Sequence, residues 1–438
     1  MTIQRTRTKP QIRIVHVGAG AFFKAHQAWY TSKVDENNEW GIAAFSGRSS
    51  QTIDELNTQD CIYTLIERDL STEKVNQIES IAAAYDGTNE AAFCELLSDS
   101  KIVIVTLTIT EAGYRFSSDG VLNLNDEVIK EDRQKIINDI FPTSALFRLA
   151  FGLNKRRQNN AGAIAIVPCD NFPENGPLVK KAIRQIFSVF GSDAITWLDS
   201  HVSFVSTSVD RITPKVSDDD RNYVKSTLNL DDCTPVITEK FSDWVLEGDF
   251  PNGRPEWEKA GAKFVTDIKK FESRKLWMLN GAHSLIAYQG LLAGYETVEA
   301  AIKDTEILNS VNEWWIDVEK LLTEPDLNLA SYKSALLERF RNPKIVHRLS
   351  QIAIDGSTKL SLRVIPVVNE LPTSKSAAFV IAQWIKWVAV QETVNDTQST
   401  EIVKAKNSPR DLVALLDVHL ASTEFMDLIN LELKTTSV

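Results

Sequence analysis

The sequence predicts an α/β protein in two parts: a parallel sheet covered by helices, followed by a mainly α-helical region. Apolar β-branched runs alternate with helical patterns through the first part of the chain, which is typical of a parallel sheet with crossover helices. A Gly-Ala-Gly turn follows the first run directly. From residue 269 to residue 426, amphipathic helical patterns replace the strand signal. We therefore place a domain boundary at about residue 265, giving domains at 1–265 and 266–438.

Short strands and longer helices are predicted for the first domain, and helices alone for the second. The strands are predicted at 12–17, 40–45, 101–107, 161–167 and 202–209, with helices at 21–33, 88–97, 145–157 and 177–190. The second domain is predicted to hold helices at 272–290, 297–304, 310–321, 326–341, 345–355, 360–370, 376–390 and 409–419. We expect Pro366 to kink or shorten the sixth of these.

Composition excludes several classes of protein. The net charge of −11 is spread along the 438 residues, which argues against nucleic acid or anionic membranes as partners. No apolar run approaches the ~18–20 residues of a membrane helix, and the basic, polar N-terminus predicts no secretory signal. The four cysteines are scattered singly, so we expect a cytoplasmic protein without disulfides. The six histidines lack paired ligand spacing, so we expect no metal site.

The glycine turn after the first strand is a candidate cofactor site. Gly18 permits a tight turn, and Gly20 lets backbone amides approach a pyrophosphate at a helix N-terminus. Phe23 replaces the third glycine of G-x-G-x-x-G, so a purely structural turn is the alternative. The strand before the turn and the helix after it favour a Rossmann-type dinucleotide site.

The segment that should set cofactor preference leaves two alternatives open. Residues 46–50, after the second predicted strand, include no carboxylate for the adenosine ribose. Arg48 and its neighbouring serines could bind a 2′-phosphate, or Arg48 could be an ordinary loop arginine. The preference between NAD and NADP is therefore open, and the cofactor expected is NAD, with NADP possible.

Lys275, Asn280 and His283 lie on one broad face of the predicted helix 272–290. At ~100° per residue, Asn280 lies about 140° and His283 about 80° from Lys275. Burial would lower the pKa of the lysine and make it a usable acid or base. The alternative is a surface lysine whose stem packs on the helix, and a hydrogen-bonded core histidine.

Polar residues also follow two predicted strands, where α/β sheets bind ligands. Asn171 comes after strand 161–167, and Asp210 after strand 202–209. Asp170, beside Asn171, could instead cap the following loop or helix. Lys359, just beyond a helix stop at Asp355, could reach a cleft or only solvent.

Several segments together resemble the mannitol dehydrogenase family of long-chain polyol and hexuronate dehydrogenases, over nearly the whole chain. Residues 18–27, GAGAFFKAHQ, are similar to the family's G-x-G-x-F-x-R-x-H-Q, with Lys24 in place of its arginine. Residues 108–114, TITEAGY, are similar to T-x-T-E-x-G-Y, and residues 275–283 fit K-x4-N-x2-H. Further matches are CDN at 169–171, VDRI at 209–212 and GRPEW at 253–257.

The resemblance implies a metal-independent, NAD(P)-dependent oxidoreductase that interconverts an alcohol and a ketone. Its active site would lie in the cleft between the two domains, and a monomer or small homo-oligomer is expected. By position, Lys275 would be the general acid/base, with Asn171 and Asn280 holding the reacting oxygen. Glu272 would gate proton exit from Lys275. Substrate would be bound by His283, Asp210, Lys359 and Gln351, and the cofactor by Gly18, Gly20, Phe22, Arg48, Thr108 and Glu111.

The segment before Asp355 bears on the substrate. Mannitol-type members have an arginine four residues before that aspartate, where this chain has Gln351. Residues 347–359, HRLSQIAIDGSTK, are similar to fructuronate reductases, which interconvert D-fructuronate and D-mannonate. That substrate pair is the interpretation we favour, with tagaturonate as a possible epimer. The alternatives are a mannitol or arabinitol dehydrogenase, a phosphorylated-polyol dehydrogenase, or a cofactor-binding protein without catalysis.

Overall fold

The computed structural model describes residues 3–47, 49–117, 120–422 and 424–435. The chain divides into two compact units, Met1–Lys269 and Lys270–Val438. The first unit combines sheets with helices, whereas the regular structure described in the second consists of helices. The predicted fold class is therefore confirmed.

A six-stranded parallel sheet organises the first unit. The strands are β1 (Ile12–Val17), β2 (Gly41–Phe45), β3 (Tyr63–Arg68), β4 (Glu73–Ile78), β5 (Ile81–Tyr85), β6 (Ile104–Leu107), β7 (Ile164–Pro168), β8 (Val202–Phe204), β9 (Ser206–Asp210), β10 (Val236–Glu239), β11 (Asp243–Glu247) and β12 (Lys263–Phe264). The main sheet has the order β5-β2-β1-β6-β7-β8 with every neighbouring pair parallel. Two three-stranded sheets, β10-β3-β4 and β12-β11-β9, complete the unit.

The α-helices of the first unit pack on its sheets. They are α1 (Ala21–Ala25), α2 (Gln27–Val34), α3 (Gln51–Thr58), α4 (Glu90–Ser98), α5 (Glu111–Tyr114), α6 (Glu127–Ile137), α7 (Ala145–Gln158), α8 (Asn175–Phe187), α9 (Ser192–His201) and α10 (Asp218–Asn222). Alternate residues of a strand point to opposite faces. Ile14 accordingly joins one hydrophobic cluster and Val15 another, and the two clusters are the core layers on either side of the sheet.

The predicted strand 202–209 is wrong as a single element. β8 pairs with β7 in the main sheet, whereas β9 pairs antiparallel with β11 in another sheet. The side chain of Asn175 explains the break at Val205. Its amide nitrogen donates to the carbonyl oxygen of Thr207 at 2.8 Å, and its oxygen accepts from the Thr207 amide at 2.9 Å. These bonds take the place of a ladder with β7.

Two predicted helices are also interrupted. The helix predicted at 21–33 breaks between α1 and α2 at His26, whose backbone has φ −119° and ψ −90°. The helix predicted at 272–290 contains a π-helical segment, Lys275–Gly281. The helix predicted at 360–370 divides close to Pro366, as expected, since one helix ends at Arg363 and the next begins at Ile365.

The second unit packs its helices around buried aromatic and aliphatic side chains. The helices are α11 (Lys269–Arg274), α12 (Ala282–Leu292), α13 (Val298–Ala301), α14 (Thr305–Glu319), α15 (Leu329–Phe340), α16 (Leu349–Ile352), α17 (Gly356–Arg363), α18 (Ile365–Glu370), α19 (Lys375–Val390), α20 (Ser399–Ala405), α21 (Pro409–Leu416) and α22 (Phe425–Thr435). None of the helices in the described ranges is long and apolar enough to cross a membrane.

Candidate active site

The carboxyl ends of β2, β1, β6 and β7 lie side by side at one edge of the main sheet. Gly18 follows β1 there with φ +103°. Its carbonyl oxygen accepts from the Thr108 hydroxyl at 2.9 Å, and a Cβ atom at Gly18 would overlap the carbonyl of Thr108. Glycine is therefore required by both the backbone conformation and the close approach of two loops.

Two other glycines at this edge have a different reason to be small. Among the described residues, a Cβ atom on Gly20 would meet one atom, at 3.8 Å, and the same holds for Gly47 after β2. The described residues therefore crowd neither position, and both lie where parallel sheets bind dinucleotides. The open space beside the backbone fits a pyrophosphate that approaches the Gly18–Gly20 turn.

His16 is a buried histidine that holds this turn in place. None of the sequence motifs includes it. His16 in β1 bonds to the Thr106 hydroxyl at 2.8 Å through Nδ1 and to the Thr108 hydroxyl at 2.9 Å through Nε2. Because the Thr108 hydroxyl donates to Gly18, we assign the proton of the imidazole to Nε2. Burial lowers the pKa of His16 to about 3, which keeps the ring neutral. It stacks on Phe23 with centroids 3.6 Å apart.

Asp170 organises the loop after β6. Its carboxylate accepts from the amide of Ile109 at 3.1 Å, the amide of Thr110 at 2.8 Å and the hydroxyl of Tyr114 at 2.6 Å. Thr110 has φ +68° and ψ 153°, a strained conformation for a side-chain-bearing residue. These carboxylate bonds go to the loop after β6 and not to the loop or helix that follows Asp170, which is where the sequence alternative placed a capping role. The carboxylate contacts hold a strained loop beside the Gly18 turn.

The remaining predicted cofactor residues of the first unit lie near this edge, with one exception. Thr108 follows β6, Phe22 lies in α1 with its ring 5.0 Å from that of His26, and Glu111 is exposed at the start of α5. Arg48 lies outside the described residues. Residues 46–50 contain no carboxylate, but one lies close to them. Asp86, which follows the neighbouring strand β5, accepts from the Ser46 hydroxyl at 3.4 Å.

The predicted catalytic residue Asn171 and the predicted substrate residue Asp210 lie at strand ends of this unit. Asn171 is exposed in the turn between β7 and α8, directly after the buried Asp170. Asp210 is the last residue of β9 and is half-buried. Asp210 therefore belongs to the β12-β11-β9 sheet and not to the main sheet, because the strand predicted before it is broken.

The π-helical segment Lys275–Gly281 changes the expected geometry of the second unit. In a π-helix the backbone hydrogen bond joins residues i and i+5, so a residue five positions on lies about one turn away. Lys275 and Asn280 have this spacing. The angle of about 140° expected for a regular helix is therefore wrong, and the two side chains start from nearly the same side of the segment. Such π segments occur frequently at functional sites.

Side chains from elsewhere in the unit bond to carbonyls of the π segment. The indole nitrogens of Trp314 and Trp315 donate to the carbonyls of Trp277 and Met278, each at 2.8 Å. Gly281 permits this contact, because a Cβ atom there would lie 2.7 Å from the Trp314 ring. The two indoles give these carbonyls hydrogen-bond partners from another helix.

His283 lies two residues beyond the π segment in an electropositive environment. It is buried, and its ring lies 4.8 Å from that of His347 and 5.0 Å from that of Phe340. Burial, followed by His347, Arg339 and Arg363, holds the pKa of His283 well below its usual value. Burial, with Arg339, Lys359 and Arg363, lowers the pKa of His347 to about 4. Both rings are therefore neutral at physiological pH.

The other predicted residues of this unit are dispersed over its helices. Glu272 lies in α11, half-buried and three residues before Lys275. The Nζ atom of Lys359 in α17 donates to the carbonyl of Ile352 at 3.0 Å. Gln351 is exposed in α16.

Both units match models of a single enzyme family. Residues 12–259 match the mannitol dehydrogenase Rossmann domain, and residues 267–427 match the mannitol dehydrogenase C-terminal domain. The chain belongs to the mannitol dehydrogenase family. It is a dehydrogenase that acts on CH–OH groups, and its Rossmann domain binds a nicotinamide cofactor. The resemblance predicted from the motifs is confirmed.

Similar proteins differ in substrate. The chain is 35% identical over 391 residues to the D-mannonate oxidoreductase of Escherichia coli (strain K12), covering 86% of this chain and 79% of that protein. It is 32% identical to the polyol:NADP oxidoreductase of Gluconobacter oxydans (strain 621H), over 80% and 73% of the two chains. A ternary complex of Pseudomonas fluorescens mannitol 2-dehydrogenase with NAD and D-mannitol superposes with a TM-score of 0.81 at 31% identity, over 97% of this chain and 91% of that chain.

Proposed function

We propose that the protein interconverts D-mannonate and D-fructuronate with a nicotinamide cofactor. The observation that carries the reaction class is the π-helical spacing of Lys275 and Asn280, an amine and an amide about one turn apart. Two findings support the sugar-acid substrate. Residues 347–359 carry Gln351 where mannitol-type members have arginine, and a D-mannonate oxidoreductase is 35% identical over 86% of the chain.

In this proposal the second unit manages the proton and the oxygen of the substrate. Lys275 accepts the hydroxyl proton from the C5 carbinol of D-mannonate, and returns it during reduction of D-fructuronate. Asn280 and Asn171 donate hydrogen bonds to the same oxygen as it becomes a carbonyl. Glu272, three residues before Lys275, accepts the proton from the lysine and passes it to solvent. His283, Asp210 and Lys359 bind the other substrate oxygens.

The first unit holds the cofactor, which supplies hydride transfer when bound. The uncrowded backbone at Gly20 and Gly47 fits the pyrophosphate, and Thr108 holds the Gly18 turn in place. We assign Asp86 to the adenosine ribose, because its carboxylate bonds to Ser46 at the end of β2. A carboxylate there favours a ribose hydroxyl over a 2′-phosphate, and hence NAD over NADP.

The test is the absorbance of the reduced nicotinamide during turnover of the purified protein. D-Fructuronate, D-fructose and D-xylulose are supplied separately, each with NADH and with NADPH. We expect oxidation of NADH with D-fructuronate, well above the rates with the two neutral ketoses. Turnover of D-fructose or D-xylulose without D-fructuronate would overturn the proposal and place the protein among the polyol dehydrogenases.

The cysteines bear on the cellular location. All four cysteines have free thiols in the structure, as is usual for proteins of a reducing compartment. We propose a cytoplasmic enzyme on this ground. Fractionation of cells that express the tagged protein, with a cytoplasmic and a secreted marker, tests the location directly.

A further inference from the structure

The turn of residues 86–88 follows β5 at the same edge of the main sheet as the Gly18 turn. The last residues of β5 and β2 pair with each other, so Asp86 and Ser46 leave the sheet side by side. The Ser46 hydroxyl donates to the Asp86 carboxylate at 3.4 Å and accepts from the Gly87 amide at 2.8 Å. We call residues 86–88 the β5 turn.

Asp86 is held in this turn as an ionised carboxylate. It accepts from the amide of Thr88 at 2.8 Å and from its hydroxyl at 2.5 Å. These bonds, with smaller effects from Ser46 and Arg148, keep the pKa of Asp86 below its usual value. Asp86 is half-buried, so its side chain is still partly accessible. A negative charge at this edge accepts hydrogen bonds from ribose hydroxyls and repels a 2′-phosphate.

A buried arginine from α7 bonds to the β5 turn. The Nη1 atom of Arg148 donates to the Gly87 carbonyl at 2.6 Å. Its Nε atom donates to the Thr143 carbonyl at 2.8 Å, and its Nη2 atom donates to the same oxygen. A Cβ atom on Gly87 would overlap both the Arg148 guanidinium and the Ser46 carbonyl. Residue 87 must therefore be a glycine for the guanidinium to contact the turn in this way.

The other end of this contact is fixed by a carboxylate of α6. Asp132 is fully buried and accepts from the amides of Thr143 and Ser144, each at 2.7 Å. A chain of hydrogen bonds therefore runs from Asp132 through Thr143 and Arg148 to Gly87. Apolar side chains often replace buried charged groups without loss of stability, so packing alone does not account for the arginine. Its planar fork gives a rigid connection between the start of α7 and the β5 turn.

We propose that Arg148 is a positioning residue for the cofactor, which holds the β5 turn so that the Asp86 carboxylate meets the adenosine ribose and selects NAD over NADP. This inference rests on the proposed function, which assigns Asp86 to that ribose. Arg148 acts through Asp86 and not on the cofactor itself, because three of its N–H groups donate to the carbonyls of Thr143 and Gly87. Misplacement of a binding group by about 1 Å is sufficient to lose its interaction.

The test measures the dissociation constants of NADH and NADPH without substrate, from the quenching of tryptophan fluorescence. We expect the wild type to bind NADH more tightly. Arg148→Met should lower the ratio of the NADPH constant to the NADH constant roughly 3- to 10-fold. A displaced carboxylate loses its bonds to the ribose, so most of this change should be weaker binding of NADH. Arg148→Lys keeps the charge and a donor, and should retain part of the preference.

The matched control is Arg156→Met. Arg156 is also buried in α7 and donates to backbone carbonyls, including those of Leu97 and Gly162. Among the described residues it shares no hydrogen-bond partner with Arg148. Its loss should therefore lower stability but change the ratio by no more than about twofold.

Two results with Arg148→Met would overturn the inference. An unchanged ratio, including an equal loss for the two cofactors, would show that Arg148 only supports α7. A raised ratio would mean that the guanidinium itself binds the 2′-phosphate. If Arg148→Met does not fold, Arg148→Gln replaces it with the same expected direction, because a single amide donor cannot bond to Thr143 and Gly87 as the guanidinium does.

Asp86→Asn separates this inference from the proposed function. It removes the charge of the carboxylate, leaves Arg148 in place and should lower the ratio roughly 10-fold or more. An unchanged ratio in Asp86→Asn, or tighter binding of NADPH than of NADH by the wild type, would overturn the assignment of Asp86 to the ribose and the inference with it. A lowered ratio in Asp86→Asn with an unchanged ratio in Arg148→Met would overturn the inference alone.

Discussion

The turn after β1 and the π segment of the second unit are both small pieces of backbone that need outside support, but the support differs. The Gly18 turn is held by residues on adjacent strands, through the chain of hydrogen bonds from Thr106 to His16, Thr108 and Gly18. The π segment is held by indoles from α14 that are 37 residues away in sequence. The first site is therefore local to one sheet edge, and the second depends on tertiary packing.

The largest effect should come from substitution of Lys275, the first residue of the π segment. Lys275→Ala should lower turnover by roughly 10²–10⁴-fold, because an acid/base is lost. The dissociation constant of NADH, measured from the quenching of tryptophan fluorescence, should be nearly unchanged. An effect confined to KM would contradict the role of Lys275. Lys375→Ala removes an exposed lysine of the same unit and serves as the control.

Three glycine-to-alanine substitutions distinguish the effects of positive φ, of crowding by Thr108 and of cofactor approach. Gly18→Ala should destabilise the protein by roughly 2–4 kcal/mol, since it combines a positive φ with an overlap at Thr108. Gly261 has φ +100°, and a Cβ atom there would meet no atom of the described residues within 4 Å, so Gly261→Ala should cost only about 1–2 kcal/mol. Urea unfolding measures both.

Gly20→Ala completes that comparison. The position is uncrowded by the protein, so the free energy of unfolding should change by less than about 1 kcal/mol. The dissociation constant for NADH should rise, because the new methyl group occupies the space assigned to the pyrophosphate. Unchanged NADH binding would show that the cofactor does not approach Gly20.

Local contacts can be predicted from sequence more readily than tertiary ones. The Gly18 turn follows a strand directly, so the motif and its neighbours in sequence were sufficient, and the fold class followed from alternating patterns of the same local kind. The π segment could not be predicted, because LWMLNG has an ordinary helical pattern and its indole partners lie in another helix. The break at Val205 was hidden for the same reason, since Asn175 reaches Thr207 from a different element.

Removal of one indole donor tests how the π segment is held. Trp314→Phe keeps an aromatic ring at this position but removes the indole edge that lies against Gly281 and leaves the Trp277 carbonyl without this donor. We expect a loss of about 1–3 kcal/mol in unfolding free energy and a fall in kcat with NADH binding retained. Trp387→Phe, at a half-buried position of the same unit, is the control. Loss of stability with kcat unchanged would show that the indole supports packing and not the alignment of Lys275 with Asn280.

The pH dependence of stability tests the neutral histidine under the Gly18 turn. The pKa of His16 is about 3 in the folded protein and 6.5 without burial. Between those values the unfolded chain binds a proton that the folded chain does not, so stability falls as the pH falls below 6.5. His16→Gln should reduce the slope between pH 4 and pH 6 by at most about 1.4 kcal/mol per pH unit.

Urea unfolding at several pH values measures that slope, with the exposed His419→Gln as the matched control. The same titration compares the two regions, because His283 and His347 have lowered pKa values with the same sign. Their contribution should persist in His16→Gln and diminish in His347→Gln. A slope that is the same in wild type and His16→Gln would mean that His16 has the same pKa in the folded and unfolded states. Both ring nitrogens would then donate when the ring is protonated, and the Thr106 hydroxyl would accept from Nδ1–H instead of donating to it.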